Sequence, residues 1–181
     1  MKNVIILPGL GNSDESHWQT HWEKDHAQMR RFAPARWDEP DLADWIAATD
    51  RAIDTCDTPP VLVAHSLACL LVAHWSDASW RRIAGAFLVA VPDPGSEAFP
   101  SAAKGFADPP RRSFHFPALI VASTNDPFAT LDYTRLRAVE WGAGLIELGA
   151  LGHINGGSGL GAWREGLNLL TAFTAGLGEI R

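Results

Sequence analysis

The chain has 181 residues, of which 46% are hydrophobic and 20% are charged, a composition typical of one folded domain with a continuous core. Its formal net charge of −6 argues against a surface that binds the phosphate backbone of nucleic acids. No apolar run is long enough for a signal peptide or a membrane span, and the two cysteines show neither metal-site nor secretory spacing, which favours a cytoplasmic protein.

Short apolar runs alternate with segments of helical spacing along the chain. In chain order, the pattern predicts a strand at 4–7, a helix at 16–29, an edge strand at 32–35, a helix at 41–55, a strand at 61–64, a helix at 67–76, strands at 86–91 and 119–122, a helix at 131–141, a strand at 145–148 and a helix at 163–177. Most of the strands are apolar at consecutive positions, as in strands that are covered on both faces. The sequence therefore predicts one three-layer α/β/α domain, residues 1–181, with a mostly parallel sheet of five to six strands.

The first predicted helix carries a His-Trp-x-x-His-Trp pattern, with His17 and His21 four residues apart on one face. A metal pair is one interpretation, although no third ligand is evident. The favoured interpretation packs the tryptophans inward and places the histidines at the rim of a pocket. His17 and Trp18 are therefore predicted to belong to a substrate pocket, without a metal.

The third predicted strand runs directly into a helix at Ser66. A serine on a strand-to-helix turn is the context of a nucleophile elbow, which needs small residues two positions to either side. Here both of those residues are alanine, Ala64 and Ala68, where the motif has glycine. Two neighbours have plainer interpretations, because Cys69 lies on a helix predicted to be buried and His65 is interpreted as structural.

The two partners that a catalytic serine requires follow at the ends of later strands. Asp126 follows the fifth predicted strand and His153 follows the sixth, in the chain order serine, acid, histidine. A serine hydroxyl is a weak nucleophile, so it needs an imidazole base, and the imidazole needs a carboxylate to orient it. Asp132 and Glu147 stay open as alternative carboxylates, although one lies at a helix start and the other within a strand. The pattern favours a triad of Ser66, Asp126 and His153.

Acyl transfer also needs N–H donors that stabilise the oxyanion. The N–H of Leu67, directly after the serine, is one predicted donor, and the loop after the first strand supplies the other, with Leu10 as the best candidate. Gly9 in the same loop is predicted to line the substrate pocket. A phosphate-binding loop is the weaker interpretation, because neither the dinucleotide fingerprint nor a Gly-Lys-Ser/Thr ending is present. Residues 92–110, rich in Pro, Gly and Ala, are predicted to form a flap over the pocket.

Taken together, these motifs resemble the small serine hydrolases of the retinoblastoma-binding-protein-nine and YdeN type, in the α/β-hydrolase superfamily. The resemblance spans nearly the whole chain and rests on residues 8–14, 17–19, 22–23, 64–68, 125–127, 152–155, 158–159 and 161–166. It implies a minimal α/β-hydrolase fold in which Ser66, Asp126 and His153 match the family triad. It also implies esterase-like or peptidase-like activity on small substrates.

The leading hypothesis is a serine hydrolase without metal or cofactor that forms an acyl-enzyme on Ser66 and cleaves small-molecule esters, thioesters or amides. The alternative is a protein-interaction module that keeps the hydrolase fold while its catalysis is dispensable, with a protein partner still to be identified. A metal-dependent hydrolase built on His17 and His21 is the third hypothesis.

Overall fold

The computed structural model describes residues 2–79, 81 and 83–178. In chain order, its strands and helices are β1 (Val4–Leu7), α1 (Trp18–Asp25), β2 (Met29–Arg31), α2 (Leu42–Asp54), β3 (Val61–His65), α3 (Leu67–Ala78), β4 (Gly85–Val89), β5 (Ala118–Ser123), α4 (Leu131–Trp141), β6 (Gly144–Leu148) and α5 (Arg164–Gly176). Short 3₁₀ helices lie at Ser101–Phe106 and Gly156–Ser158. Within the described ranges, none of the helices combines the length and the apolar character that crossing a membrane requires.

The strands form one sheet in the order β2-β1-β3-β4-β5-β6, and every pair of neighbours is parallel. Every residue of β1, β3 and β4 is buried, because helices cover both faces of a parallel sheet. The prediction of a mostly parallel sheet of five to six strands is therefore confirmed, with six strands and every neighbouring pair parallel. The loops that follow β1, β3, β5 and β6 meet at the carboxyl edge of this sheet.

Side chains that alternate along the strands separate the core into two halves. Leu62 of β3 packs into a cluster with Trp45 of α2, and this cluster also includes apolar residues of α3 and α4. Val63, one residue later, packs on the other face with Trp18 of α1 and Leu170 of α5. The sheet thus lies between two helical layers. His65 is the next residue of β3 on the same face as Val63, so its side chain is directed towards α1 and α5.

The predicted edge strand at 32–35 is wrong, because β2 lies three residues earlier. The predicted first helix, residues 16–29, also extends too far along the chain, because its last residue belongs to β2. Its last turn ends at His26, whose extended backbone still donates its N–H to Trp22 O, and the chain then pairs Met29 with Val4. Apolar spacing alone did not separate a helix end from a short parallel strand. The other predicted elements agree with the structure to within about two residues at each end.

Candidate active site

The turn between β3 and α3 places one serine at the carboxyl edge of the sheet. Ser66 has φ 54° and ψ −124°, a backbone conformation that is strained for a residue with a side chain. Two hydrogen bonds hold this Ser66 turn: the Ser66 N–H donates to Val89 O at 2.9 Å, and the Cys69 N–H donates to Ser66 O at 2.8 Å. Ala64 and Ala68 are fully buried beside it, so methyl groups fit where the motif has glycine.

Gly9, in the loop after β1, lies directly against the Ser66 turn. A Cβ at Gly9 would lie 3.0 Å from His65 O, 3.0 Å from the Cβ of Ser66 and 3.3 Å from the Leu67 nitrogen. Only glycine permits this approach without displacing backbone. Leu10 and Leu67 both line the same cavity, and within the described part of the chain neither backbone N–H donates to a protein acceptor.

His153 lies between a serine and a carboxylate, within hydrogen-bond distance of both. Its Nε2 is 2.7 Å from the Oγ of Ser66, and its Nδ1 is 2.9 Å from each carboxylate oxygen of Asp126. Since a carboxylate only accepts, Nδ1 carries the proton and the Nε2 lone pair faces the serine hydroxyl. The side chains of His153 and Asp126 are 8% and 5% exposed. The structure therefore brings together the three residues that the sequence pattern singled out.

Phe128 contacts both Asp126 and His153. Its backbone N–H donates to Asp126 Oδ1 at 2.9 Å, and its ring centre lies 4.4 Å from that of His153. Sequence reasoning missed this residue. Its position two residues after Asp126, in the same loop, was the available signal.

The two alternative carboxylates are engaged elsewhere. Glu147 makes a two-pronged pair with Arg135 at 2.7 and 2.9 Å, and the hydrogen bond from that guanidinium lowers the pKa of Glu147. Asp132 accepts from the same guanidinium at 3.2 Å. Neither carboxylate lines the cavity beside Ser66.

The loop that carries His153 is held by side chains from the end of β5 and from the loop after it. Ser123 Oγ accepts from the Leu151 N–H at 3.0 Å, and Asn125 Oδ1 accepts from the Gly152 N–H at 2.7 Å. Gly152 and Ile154, on either side of His153, have φ values of 60° and 47°. His153 is thus presented by a tight turn that depends on contacts from other elements.

Two further imidazoles lie next to His153, and both are 5% exposed. His65 donates from Nε2 to His153 O at 2.9 Å, and burial lowers its pKa well below the ordinary value. The Nδ1 of His17 accepts from the Gln19 N–H at 3.2 Å, and burial lowers the pKa of His17 to about 4. The rings of His17 and His65 meet edge to face with centres 4.7 Å apart. Both rings are therefore neutral at physiological pH.

A cavity of about 290 Å³ opens beside Ser66. Its apolar walls include Leu10, Leu67, Phe99 and Phe128. The segment predicted as a flap, residues 92–110, supplies one of these walls. Gly9 and His17 also line the cavity, where the sequence analysis placed them.

The placement of Trp18 in the pocket needs correction. Trp18 is 1% exposed and is absent from the described residues that line the cavity. Its indole packs against Trp22 and Trp163, with ring centres 4.5 and 5.2 Å away, and its Nε1–H donates to Ile154 O at 2.8 Å. The burial of α1 against the sheet directs this side chain beneath the site. His21, which the same analysis placed at the rim, also does not line the cavity.

The metal interpretation finds no third ligand. Across residues 2–79, 81 and 83–178, no group of three or more His, Cys, Asp or Glu side chains is arranged to hold a metal ion. His17 already accepts a hydrogen bond through Nδ1. The pair formed by His17 and His21 is thus left without the ligand set that a catalytic zinc site uses.

Cys69 lies in the core directly below the Ser66 turn. It is fully buried, and its Sγ is 3.4 Å from Val89 O and 3.6 Å from Ala64 O. Burial raises the pKa of this thiol, so it stays protonated. Cys69 is therefore a small core residue and a poor nucleophile.

Residues 4–172 match a family model described as serine hydrolase. A solved YdeN-like hydrolase from Pectobacterium atrosepticum is 31% identical, over 97% of this chain and 91% of that one, with a TM-score of 0.87. The ydeN gene product of B. subtilis is 20% identical, over 97% of this chain and 100% of that one, with a TM-score of 0.79. A monoacylglycerol lipase from Paleococcus ferrophilus shares the fold at 14% identity, over 95% and 93% of the two chains, with a TM-score of 0.69. No match was found among curated proteins. On its sequence and its six-stranded parallel sheet, this chain belongs to the serine hydrolase family and has a minimal α/β-hydrolase fold.

Proposed function

We propose that this hydrolase works through an acyl-enzyme on Ser66, with His153 as general base and Asp126 as the carboxylate that orients it. The observation that carries the proposal is the continuous line of hydrogen bonds from the Ser66 hydroxyl through the imidazole to Asp126, at 2.7 and 2.9 Å. The strained backbone at Ser66 supports its role as a nucleophile elbow, because strain of this kind is concentrated at functional sites.

Each proton has a defined place in the reaction. His153 Nε2 takes the proton of the Ser66 hydroxyl while Oγ attacks the substrate carbonyl carbon, and Asp126 stabilises the imidazolium that results. We assign stabilisation of the oxyanion to the N–H groups of Leu10 and Leu67, which have no acceptor among the described residues. Collapse of the tetrahedral intermediate breaks the bond to the leaving alcohol, thiol or amine, which receives the proton from His153. Water then attacks the acyl-enzyme by the same route.

The electrostatic surroundings support this role for His153. Burial lowers the pKa of both neighbouring rings, His17 and His65. Neither ring adds a positive charge beside the imidazolium that forms in the transition state. The charge that develops on His153 is then opposed chiefly by Asp126, at 2.9 Å.

The cavity supports small substrates with an uncharged acyl group. Its volume is about 290 Å³, its walls include the rings of Phe99 and Phe128, and no lysine or arginine is among the described residues that line it. Asp14, at the rim, is the exposed carboxylate of this lining. Esters, thioesters or amides with short apolar acyl groups fit these walls best.

The test combines active-site labelling with a substrate series. A fluorophosphonate probe is expected to label the wild type, and p-nitrophenyl esters of increasing acyl length are expected to show highest kcat/KM at short chain lengths. Ser66→Ala is expected to abolish labelling and to lower kcat by a factor on the order of 10⁴ or more. Ser76→Ala is the matched control, because Ser76 donates only to Ala73 O within α3. Full activity in Ser66→Ala would contradict the proposal.

A further inference from the structure

We infer that Trp18 and His65 are positioning residues that hold the backbone of the general base from beneath. Their ring N–H groups donate to two consecutive carbonyls, those of His153 and Ile154, and we call the pair the imidazole–indole clamp. This inference rests on the proposed role of His153. It gives functions to two residues that were interpreted from sequence as a pocket residue and a structural residue.

The contacts of the clamp are short, buried and of defined polarity. The Trp18 Nε1–H donates to Ile154 O at 2.8 Å, and His65 Nε2 lies 2.9 Å from His153 O. A carbonyl only accepts, so Nε2 of His65 must carry the proton. Trp18 is 1% exposed and His65 is 5% exposed, and a buried N–H without an acceptor is destabilising because it loses its hydrogen bonds to water. Each ring is thus committed to its carbonyl.

The backbone that the clamp holds is strained. Ile154 has φ 47°, and a β-branched residue in the left-handed region is a genuine outlier. Such a conformation is unfavourable and persists only where surrounding contacts enforce it. The two clamp bonds fix the carbonyls of His153 and Ile154, which lie on either side of the N–Cα bond of Ile154. The N–H of the peptide between His153 and Ile154 donates to Leu151 O at 3.3 Å. Without the clamp, that longer bond is what remains, among the described residues, to oppose rotation of the peptide towards an unstrained conformation.

Rotation of that peptide would displace the reacting imidazole. The Cα of His153 belongs to the segment that would turn, while its ring must keep 2.7 Å to Ser66 Oγ and 2.9 Å to Asp126. A misplacement of about 1 Å can cost about 100-fold in rate. His65 also immediately precedes Ser66 in the chain, so one residue ties the backbone of the base to the strand that ends at the nucleophile.

Two pairs of variants separate positioning from plain structural support. Trp18→Phe removes the indole donor, and Trp22→Phe is its matched control, since Trp22 lies on the same helix, is equally buried at 1% exposure, and donates to Ala162 O at 2.7 Å instead. His65→Leu removes the imidazole donor, whereas His65→Gln keeps an N–H of similar reach. Thermal unfolding of all four variants measures the structural cost.

We expect Trp18→Phe and His65→Leu to lower kcat, and the rate constant of fluorophosphonate labelling, by about 10- to 100-fold, as losses of supporting hydrogen bonds at active sites do. KM should stay within about two-fold, because substrate contacts are intact. Trp22→Phe should keep wild-type kcat even with a comparable fall in Tm, and His65→Gln should recover most of the loss. Equal losses of kcat in Trp18→Phe and Trp22→Phe, or no recovery in His65→Gln, would overturn the clamp.

A spectroscopic readout keeps this test separate from the test of the proposed function. The proton on His153 Nδ1, facing Asp126, should give a far-downfield imidazole N–H resonance in the wild type and in Trp22→Phe. Trp18→Phe and His65→Leu should broaden or lose it. If the wild type neither reacts with the fluorophosphonate nor hydrolyses esters, the proposed function is wrong. The clamp would still be tested by this resonance. Retention of the signal in both clamp variants would refute the clamp.

Discussion

Gly9 shows how a residue without a side chain shapes the candidate site. Its Cα fits against the Ser66 turn at a distance where a Cβ would meet His65 O at 3.0 Å. That obstacle is backbone, which cannot rotate away as the end of a side chain could. The approach also brings the loop that carries Leu10 against the turn that carries Leu67, and the proposed oxyanion site depends on this contact.

Gly9→Ala is expected to lower kcat/KM by about 10- to 100-fold, because it would displace one proposed oxyanion donor, and complete removal of such a donor costs about 100- to 1,000-fold. Ester hydrolysis and thermal unfolding, measured together, check the result. Gly105→Ala is the control, because a Cβ at Gly105 meets nothing within 4 Å. Wild-type kcat/KM in Gly9→Ala would show that the Ser66 turn and the loop after β1 can move apart without loss of activity.

Sequence alone placed three functional side chains at one sheet edge but could not place their supports. Ser66, Asp126 and His153 each follow a predicted strand, and parallel strands bring such positions together. The contact from Trp18 to Ile154 O spans 136 positions of the chain, and no periodicity records a pairing of that kind. Helical spacing indicates which residues share a face, but it does not distinguish a pocket wall from a buried support.

At the level of elements, α5 begins in an unusual way. Its N-cap residue, Trp163, has φ 39°, and its indole stacks nearly parallel to that of Trp22, with ring centres 5.9 Å apart. The indole also covers Gly166, where a Cβ would lie 2.2 Å from two ring atoms. The start of α5 is therefore joined to α1 through one aromatic side chain that needs a glycine beneath it.

Gly166→Ala is expected to destabilise the protein by about 1–3 kcal/mol or more, because the added methyl overpacks the space under Trp163. Alanine is the better helix former, so helix propensity predicts the opposite sign. Gly176→Ala, at the end of the same helix with nothing within 4 Å of its Cβ, should be neutral or slightly stabilising. Urea unfolding of both variants checks the contrast, and equal free energies of unfolding would contradict it.

For the whole molecule, composition and periodicity predicted the layers but not the order of the strands. Runs such as residues 61–64 are apolar at every position, and therefore on both faces of the strand, which indicates burial by two helical layers. The same runs do not say which strand lies beside which. The order β2-β1-β3-β4-β5-β6 follows from how the crossovers pack, and the short strand β2 was misplaced because its pairing with β1 has no local signature.

The stability of the whole molecule should depend on pH through His17. Its pKa is about 4 in the folded protein against an ordinary value of 6.5, so the unfolded chain binds more protons between these values. The His17 contribution to stability is therefore full above about pH 6.5 and falls as the pH drops towards 4, by about 2 kcal/mol between pH 7.5 and 5. Burial also lowers the pKa of His65, so His65 adds a loss in the same direction. His17→Gln removes the His17 contribution, and its free energy of unfolding should change less over that interval.

Urea unfolding at pH 7.5 and 5 compares the wild type with His17→Gln. His115→Gln is the matched control, because that histidine is exposed, and it should keep the wild-type dependence. Asp14 and Arg31 also act on the His17 charge, the first raising and the second lowering its pKa. An unchanged pH dependence in His17→Gln would show that other groups govern acid destabilisation.

The thiol of Cys69 has a consequence for observing the intact protein. Fully buried below the Ser66 turn, it can meet an alkylating reagent only after the sheet has opened, whereas Cys56 is half-buried near the end of α2. The Cys69 thiol is thus an intrinsic probe for rare opening of the sheet. It lies below Ser66, the residue on which hydrolysis is proposed to depend. The rate at which that thiol is alkylated would report how often the sheet opens under conditions where most molecules remain folded.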